Sequence, residues 1–212
     1  IGHMQPEKIE ETLATSNFWN YRDNLQFHVS PSGQLCFMNV YRNRPFAVEE
    51  CHLPMQEISR IWPQVEFESG DAVNRVEFRQ NKHGELMLIL SGERANVPEL
   101  QTEATISVIH MSGEEKLLLA GDDFLFQEFL DKHFRVSAGA FFQTNLFAAE
   151  EMVRYVLEIV NTYDKRRIMD IYCGVGLFSS FLAERADGII GIESSSAACN
   201  DFAVNLDEYD HV

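Results

Sequence analysis

The sequence predicts an antiparallel α+β module followed by the opening of an α/β domain built on a parallel sheet. Three observations predict it. Over the first hundred residues, apolar and polar side chains alternate between clusters of turn formers, the period of half-buried strands. From Phe134 onward, helical runs and short apolar runs take turns instead. The 212 residues are 45% hydrophobic and include 16 Phe, enough for one large or two small domains with a sizeable core.

Ile1–Met4 reads as an expression scar and is set aside. Leu25, Phe27 and Val29 alternate with polar residues, Ser30–Gly33 supplies a turn, and Leu35–Tyr41 returns, which makes a hairpin. Met55, Ile58 and Ile61 stand at helical spacing in a short helix over Pro54–Ile61. A second hairpin runs from Val73–Phe78 through Asn81–Gly84 to Leu86–Leu90, and a third pairs Thr105–Met111 with Lys116–Leu119. Residues 5–132 thus form the first domain, with a boundary near Lys132–His133, and residues 133–212 the second. There, Thr144 or Asn145 caps a helix whose Leu146, Ala149, Val153, Val156 and Val160 share one face. Arg167–Cys173 is a buried-type strand, Leu177–Ala186 a helix, Gly188–Glu193 a strand and Ser195–Leu206 a helix. These are the first two strand-helix units of a doubly wound, Rossmann-like sheet that needs more strands, so the chain is expected to be a fragment.

The stretch from Asp170 to Glu193 carries the chemistry. An apolar strand ends in Gly174-Val-Gly176, enters a helix, and a second strand ends on an acidic residue 23 positions after Asp170. Glycines let a backbone approach a ligand closely, and a carboxylate at the second strand end can accept ribose hydroxyls. Ser179 stands where the third glycine of the dinucleotide fingerprint would fall. With no pyrophosphate grip, the turn favours S-adenosylmethionine over NAD. The other reading is an ordinary strand-to-helix turn with no ligand.

Phe141-Phe-Gln-x-Asn145 and Asp170-x-Tyr-Cys-Gly-x-Gly-x-Phe-Ser179 together resemble the RNA 5-methyluridine methyltransferase family, as do Phe18-Trp-Asn-Tyr-Arg22 and Glu50-Cys-His-Leu-Pro54. The resemblance covers most of the chain. It implies the middle domain and the first part of a catalytic domain that uses S-adenosylmethionine to methylate carbon 5 of uridine in tRNA or rRNA. It further implies Gln143, Tyr172, Gly174, Gly176, Glu193 and Asp170 as cofactor-binding residues. Gln143 would hydrogen-bond the cofactor, its other reading being a polar helix cap. The Tyr172 ring would pack near the cofactor or else close the sheet. Glu193 would take the ribose hydroxyls, and Asp170 would orient the turn or face the cofactor's amino group. Leu177 stands where members carry a polar residue such as Asn or Thr.

In the resembled family a cysteine thiolate adds to carbon 6 of the uracil, and a base later removes the carbon 5 proton. Both are expected after Val212, so no catalytic residue is assigned here and this chain alone is not expected to transfer methyl groups. Cys173 occupies a motif position that is not the nucleophile and reads as a buried structural thiol. Cys51 loosely matches the last ligand of an iron–sulfur cluster, but no further cysteines stand at ferredoxin spacing, so no metal is predicted.

The net charge of −16 weighs against an RNA partner, since phosphate-binding surfaces are rich in Lys and Arg. Residues 5–132 carry 11 basic and 21 acidic side chains, and residues 133–212 carry 6 and 12. An RNA footprint is therefore a local patch, and Arg22, Arg42 and Arg44 beside Tyr21, Tyr41 and Phe46 are the candidates, against a plain solvated hairpin edge. No apolar run is long enough to span a bilayer, and four irregularly spaced cysteines form no disulfide framework, so a cytoplasmic protein is expected. Two other readings stand beside the first: a methyltransferase of another substrate class, and a non-catalytic binding protein with a degenerate cofactor fold.

Overall fold

The computed structural model describes residues 11–15, 17–39, 41–68, 73–93, 104–113, 115–163 and 167–212; the Ile1–Met4 segment lies outside them. Asn24–Val29 (β1) and Leu35–Asn39 (β2) pair across the expected turn, with His28 opposite Cys36. Gly33 sits in that turn at φ +83°, and a Cβ there would lie 1.9 Å from the Phe67 carbonyl oxygen, so no other residue fits. Arg44–Ala47 (β3) adds an exposed edge strand that the alternation did not reveal. Pro45 is tolerated because an edge strand can lack one ladder donor.

Val73–Gln80 (β4), Leu86–Gly92 (β5), Ile106–Ser112 (β6) and Glu115–Ala120 (β7) complete a seven-stranded sheet in the order β3-β2-β1-β4-β5-β6-β7. One pairing departs from the expected antiparallel module: β5 and β6 run parallel, with Leu88 opposite Val108. Parallel neighbours need a long crossover, and residues 93–105 separate these two strands. On one face, Gln56–Ile61 (α1) and a 3-10 turn at Trp62–Gln64 bury Ile58 and Trp62 against Phe27, Phe78, Leu88 and Leu90. The helix lacks a side-chain cap of its own. Gln80 Oε1 on β4 takes that role, accepting from the N–H groups of Glu57 at 2.9 Å and Ile58 at 3.1 Å.

The opposite face of β5 and β6 presents Met87, Ile89 and Ile109 to Leu125 and Ala138. Leu125 belongs to a hairpin, Phe124–Phe129 (β8) and Lys132–Ser137 (β9), whose turn holds Leu130 at φ 53°. The expected boundary at Lys132–His133 lies inside this hairpin, at the start of β9. The hairpin joins the two parts of the chain: β8 packs under the large sheet, and β9 packs against the helix over Ser196–Asn205.

Leu146–Val160 (α2) begins at Asn145, whose side chain accepts from the Ala148 N–H at 3.1 Å. Arg167–Ile171 (β10), Leu177–Ala183 (α3), Gly188–Ile192 (β11) and Ser196–Asn205 (α4) follow, with β10 and β11 parallel. Ile168 and Ile189 pack beneath α2 and α3 with Leu182 and Ala183. Met169, Ile171, Ile190 and Ile192 on the other face are exposed, so β10 is not the fully buried strand its apolar run suggested. Its residues are apolar on both faces, and among the described residues only one face is covered. On β9, the buried Asp201 of α4 accepts from the Ser137 N–H and Oγ, both at 2.7 Å. Asn205 accepts from the Arg135 N–H at 2.7 Å and donates to its carbonyl at 3.1 Å, completing the edge of β9 as a strand would.

Candidate functional site

Past the end of β10 the backbone turns through three left-handed residues, Tyr172 (φ 64°), Gly174 (φ 56°) and Gly176 (φ 92°), the last being the N-cap of α3. The loop is fastened to β11, because the N–H groups of Tyr172 and Cys173 both donate to the Ile192 carbonyl, at 2.8 and 3.3 Å. The two glycines differ in purpose. A Cβ on Gly176 would lie 2.4 Å from Leu206 Cδ1 and 3.0 Å from Phe202 Cδ2, so its bareness lets α4 pack against the loop. A Cβ on Gly174 would meet nothing nearer than the Phe141 carbonyl oxygen at 3.9 Å, so this glycine faces open space.

Glu193, just after β11, is the hub of the loop. Its Oε2 accepts from the Gly174 N–H at 3.1 Å, and its Oε1 accepts from the Ser194 and Ser195 N–H groups at 2.6 and 2.8 Å. These backbone donors hold its carboxyl below the usual carboxylate range. A carboxylate offers about four acceptor positions, so Oε2 keeps one for a further donor. Asp170 accepts from the buried Ser179 Oγ at 2.7 Å, tying the strand end to the first turn of α3. Burial, with Asp170 and Glu193 adding their negative charge, pushes the Cys173 thiol up to about 11, so it is protonated and inert at neutral pH. Leu177 points into the core with Phe129, Phe134 and Phe181, away from the loop surface.

Tyr172 is 85% exposed and does not close the sheet. Gln143 is not the helix cap, since Asn145 fills that role, and its side chain makes no hydrogen bond among the described residues. The Phe141 carbonyl lies over Gly174, which brings the segment bearing Gln143 to the glycine loop. Phe141 itself is 62% exposed beside that loop.

The structure also brings together segments far apart in sequence. The N–H groups of Asn20 and Arg22 donate to the carbonyls of His52 and Leu53, both at 2.9 Å, and the Trp19 and His52 rings meet edge to face. Arg22 in turn bridges Asn145, and the Asp23 N–H donates to the Thr144 carbonyl at 3.1 Å. Phe18–Arg22, Glu50–Pro54 and Phe141–Asn145 therefore form one junction beside the loop. Sequence reasoning did not single out Ser179, Ser194, Ser195 or Asp23, whose roles rest on contacts across the fold; Ser179 alone was visible, as a departure from the third glycine.

The sequence profile of the tRNA (Uracil-5-)-methyltransferase family matches residues 85–211. An uncharacterized RNA methyltransferase of Halalkalibacterium halodurans is 23% identical over 95% of this chain and 52% of its own length. The 23S rRNA (uracil(1939)-C(5))-methyltransferase of Xylella fastidiosa is 27% identical over 91% of this chain and 48% of its own. Among solved structures, the tRNA (uracil-54, C5)-methyltransferase of Pyrococcus abyssi, in complex with S-adenosyl-L-homocysteine, superposes with a TM-score of 0.69. It is 17% identical, and the match covers 93% of this chain and 55% of that one. The chain spans about half the length of these relatives. With the profile matched over more than half of its residues, the chain belongs to the tRNA (uracil-5-)-methyltransferase family.

Proposed function

We propose that this chain binds S-adenosylmethionine at the Gly174–Glu193 loop and, in the native protein, serves methylation of carbon 5 of uridine in tRNA or rRNA. One observation carries the reading: Glu193 is fixed by three backbone N–H groups while Oε2 keeps a free acceptor position beside the open space over Gly174. A nucleoside with two ribose hydroxyls fits such a cradle, and the exposed Tyr172 ring and Gln143, whose side chain has no hydrogen bond among the described residues, flank it. Bound there, S-adenosylmethionine supplies an electrophilic methyl group on its sulfonium. Glu193 would orient the ribose and Gln143 would hydrogen-bond the cofactor. Asp170, occupied by Ser179, positions the turn. Gly176 serves the packing that holds the loop still.

Carbon 5 of uracil becomes nucleophilic only after a thiolate adds at carbon 6. Cys173, the thiol at the loop, is buried and its thiol is pushed up to about 11, so it is not the attacking cysteine. Residues 5–132 form the RNA-facing part. The β2–β3 hairpin carries Tyr41, 98% exposed, and Phe46, 50% exposed, with Arg42 and Arg44. The antiparallel register of β1 and β2 puts its tip at the sheet end where Arg22 meets Asn145, on the side of the cofactor loop. Stacking on such rings with a few local cations suits single-stranded RNA on an otherwise acidic protein.

Two measurements test this. Calorimetry with S-adenosylhomocysteine should show binding to this chain that Glu193→Ala weakens; equal affinity removes Glu193 from the site. The native protein with S-adenosylmethionine should release tritium from RNA labelled at uracil carbon 5. Cofactor binding without release would assign the protein to another substrate class.

A further inference from the structure

The junction beneath Gln143 holds a carboxyl that methyl transfer does not use. Asp23 stands just before β1 and is 7% exposed. Its N–H donates to the Thr144 carbonyl at 3.1 Å, and its own carbonyl accepts from the Gln80 N–H at 2.8 Å. Its side chain accepts from Gln127 Nε2 at 2.9 Å. The other atom of that amide, Gln127 Oε1, is buried with no donor. Buried acceptors nearly always find a donor, and an ionised carboxylate has none to give. The charged groups facing Asp23 are Arg22 beside it and Arg79 and Glu77 on β4. Arg79 is engaged elsewhere, with Nε on Glu77 and Nη1 donating to the Ser137 carbonyl at 3.0 Å. A cavity of about 20 Å³ beside Asp23, Gln127 and Phe142 has room for a single water.

We propose that Asp23 is a positioning residue held as the neutral acid, whose proton latches the Phe141–Asn145 segment, and with it Gln143, to the large sheet, and whose ionisation loosens that segment. The proposal rests on the reading of Gln143 as a cofactor ligand. A carboxylic acid offers the O–H donor that Gln127 Oε1 lacks, so acid and amide satisfy each other in a cyclic pair. Ionised, Asp23 has no donor to give, and its buried charge has space for one water at most. The backbone contact to Thr144 is then the yielding point, since it joins the two parts of the chain at a single hydrogen bond from this residue. Burial raises the Asp23 carboxyl to about 7, against the pull of Arg79 and the Gln127 amide, which places the change near neutral pH.

The test reads the latch with and without cofactor, in the whole chain and in Asp23→Asn, which keeps the shape and cannot ionise. Amide hydrogen exchange at residue 23 reports the bond to Thr144. In the wild type its protection should fall by about tenfold between about pH 6 and pH 8, and in Asp23→Asn it should stay level. The affinity for S-adenosylhomocysteine should follow the same two profiles. Parallel pH profiles in the two proteins, in protection or in affinity, overturn the latch. Protection that changes in the wild type alone, with no S-adenosylhomocysteine bound at any pH, supports the latch and refutes the cofactor reading.

Discussion

Replacing each loop glycine by alanine separates a glycine kept for packing from one kept for a ligand. At Gly176 two penalties add. The residue sits at φ 92°, where an L side chain is strained by about 1–2 kcal/mol. Its Cβ would also lie 2.4 Å from Leu206 Cδ1 and 3.0 Å from Phe202 Cδ2, an overlap that shifts α4 at a cost of about 1–3 kcal/mol. Together these put Gly176→Ala at about 2–5 kcal/mol of destabilisation. Gly174, at φ 56°, carries only the backbone strain, because the nearest atom to its Cβ is 3.9 Å away. Gly174→Ala should therefore cost about 1–2 kcal/mol, yet weaken S-adenosylhomocysteine binding by putting a methyl group into the proposed cradle. Urea unfolding followed by circular dichroism gives the first quantity, and calorimetry on the folded variants the second. Equal losses of stability at the two positions would refute the assignment of Gly176 to packing. Unchanged affinity in Gly174→Ala would refute the assignment of Gly174 to the ligand.

Other outcomes follow from the same structure. Because the folded chain holds the Asp23 proton to about 7 and the unfolded chain releases it near 3.8, wild-type stability should fall as pH rises between those values. At 1.36 kcal/mol per unit the full effect is at most about 4 kcal/mol, and Asp23→Asn should remove that slope in urea titrations across pH. Gln80→Ala should cost about 1–3 kcal/mol by leaving the first N–H groups of α1 without an acceptor; a loss under half a kcal/mol would mean water replaces the amide. Thiol labelling at about pH 8 should modify the exposed Cys199 well before Cys173, whose thiol is pushed up to about 11; equal rates would contradict that environment.

The pattern of alternation and turn residues located β1, β2 and β4 to β7, of which β5 and β6 are buried on both faces, Leu88, Leu90 and Val108 toward α1 and Met87, Ile89 and Ile109 toward Leu125. It missed β3, four exposed residues with a proline, and the β8–β9 hairpin, whose turn at Leu130–Asp131 holds no glycine. It also gave an all-antiparallel module where β5 and β6 run parallel, since strand direction depends on where a crossover leads and not on the strand itself. The Asn145 cap and the Gly-x-Gly turn were legible because each uses a residue type suited to one local backbone geometry.

From the residues alone came the strands and helices other than β3, β8 and β9, the glycine loop with Glu193 at its far side, and the family, all of them consequences of local geometry and of motifs within short stretches. Only the tertiary structure decided which glycine packs and which faces open space, and that Glu193 is held by the loop it serves. It alone joined Phe18–Arg22, Glu50–Pro54 and Phe141–Asn145 at a buried Asp23. Such facts depend on contacts between residues up to about a hundred positions apart, as in the Asp23–Gln127 pair, and burial and hydrogen-bond partners at that range are properties of the packed chain.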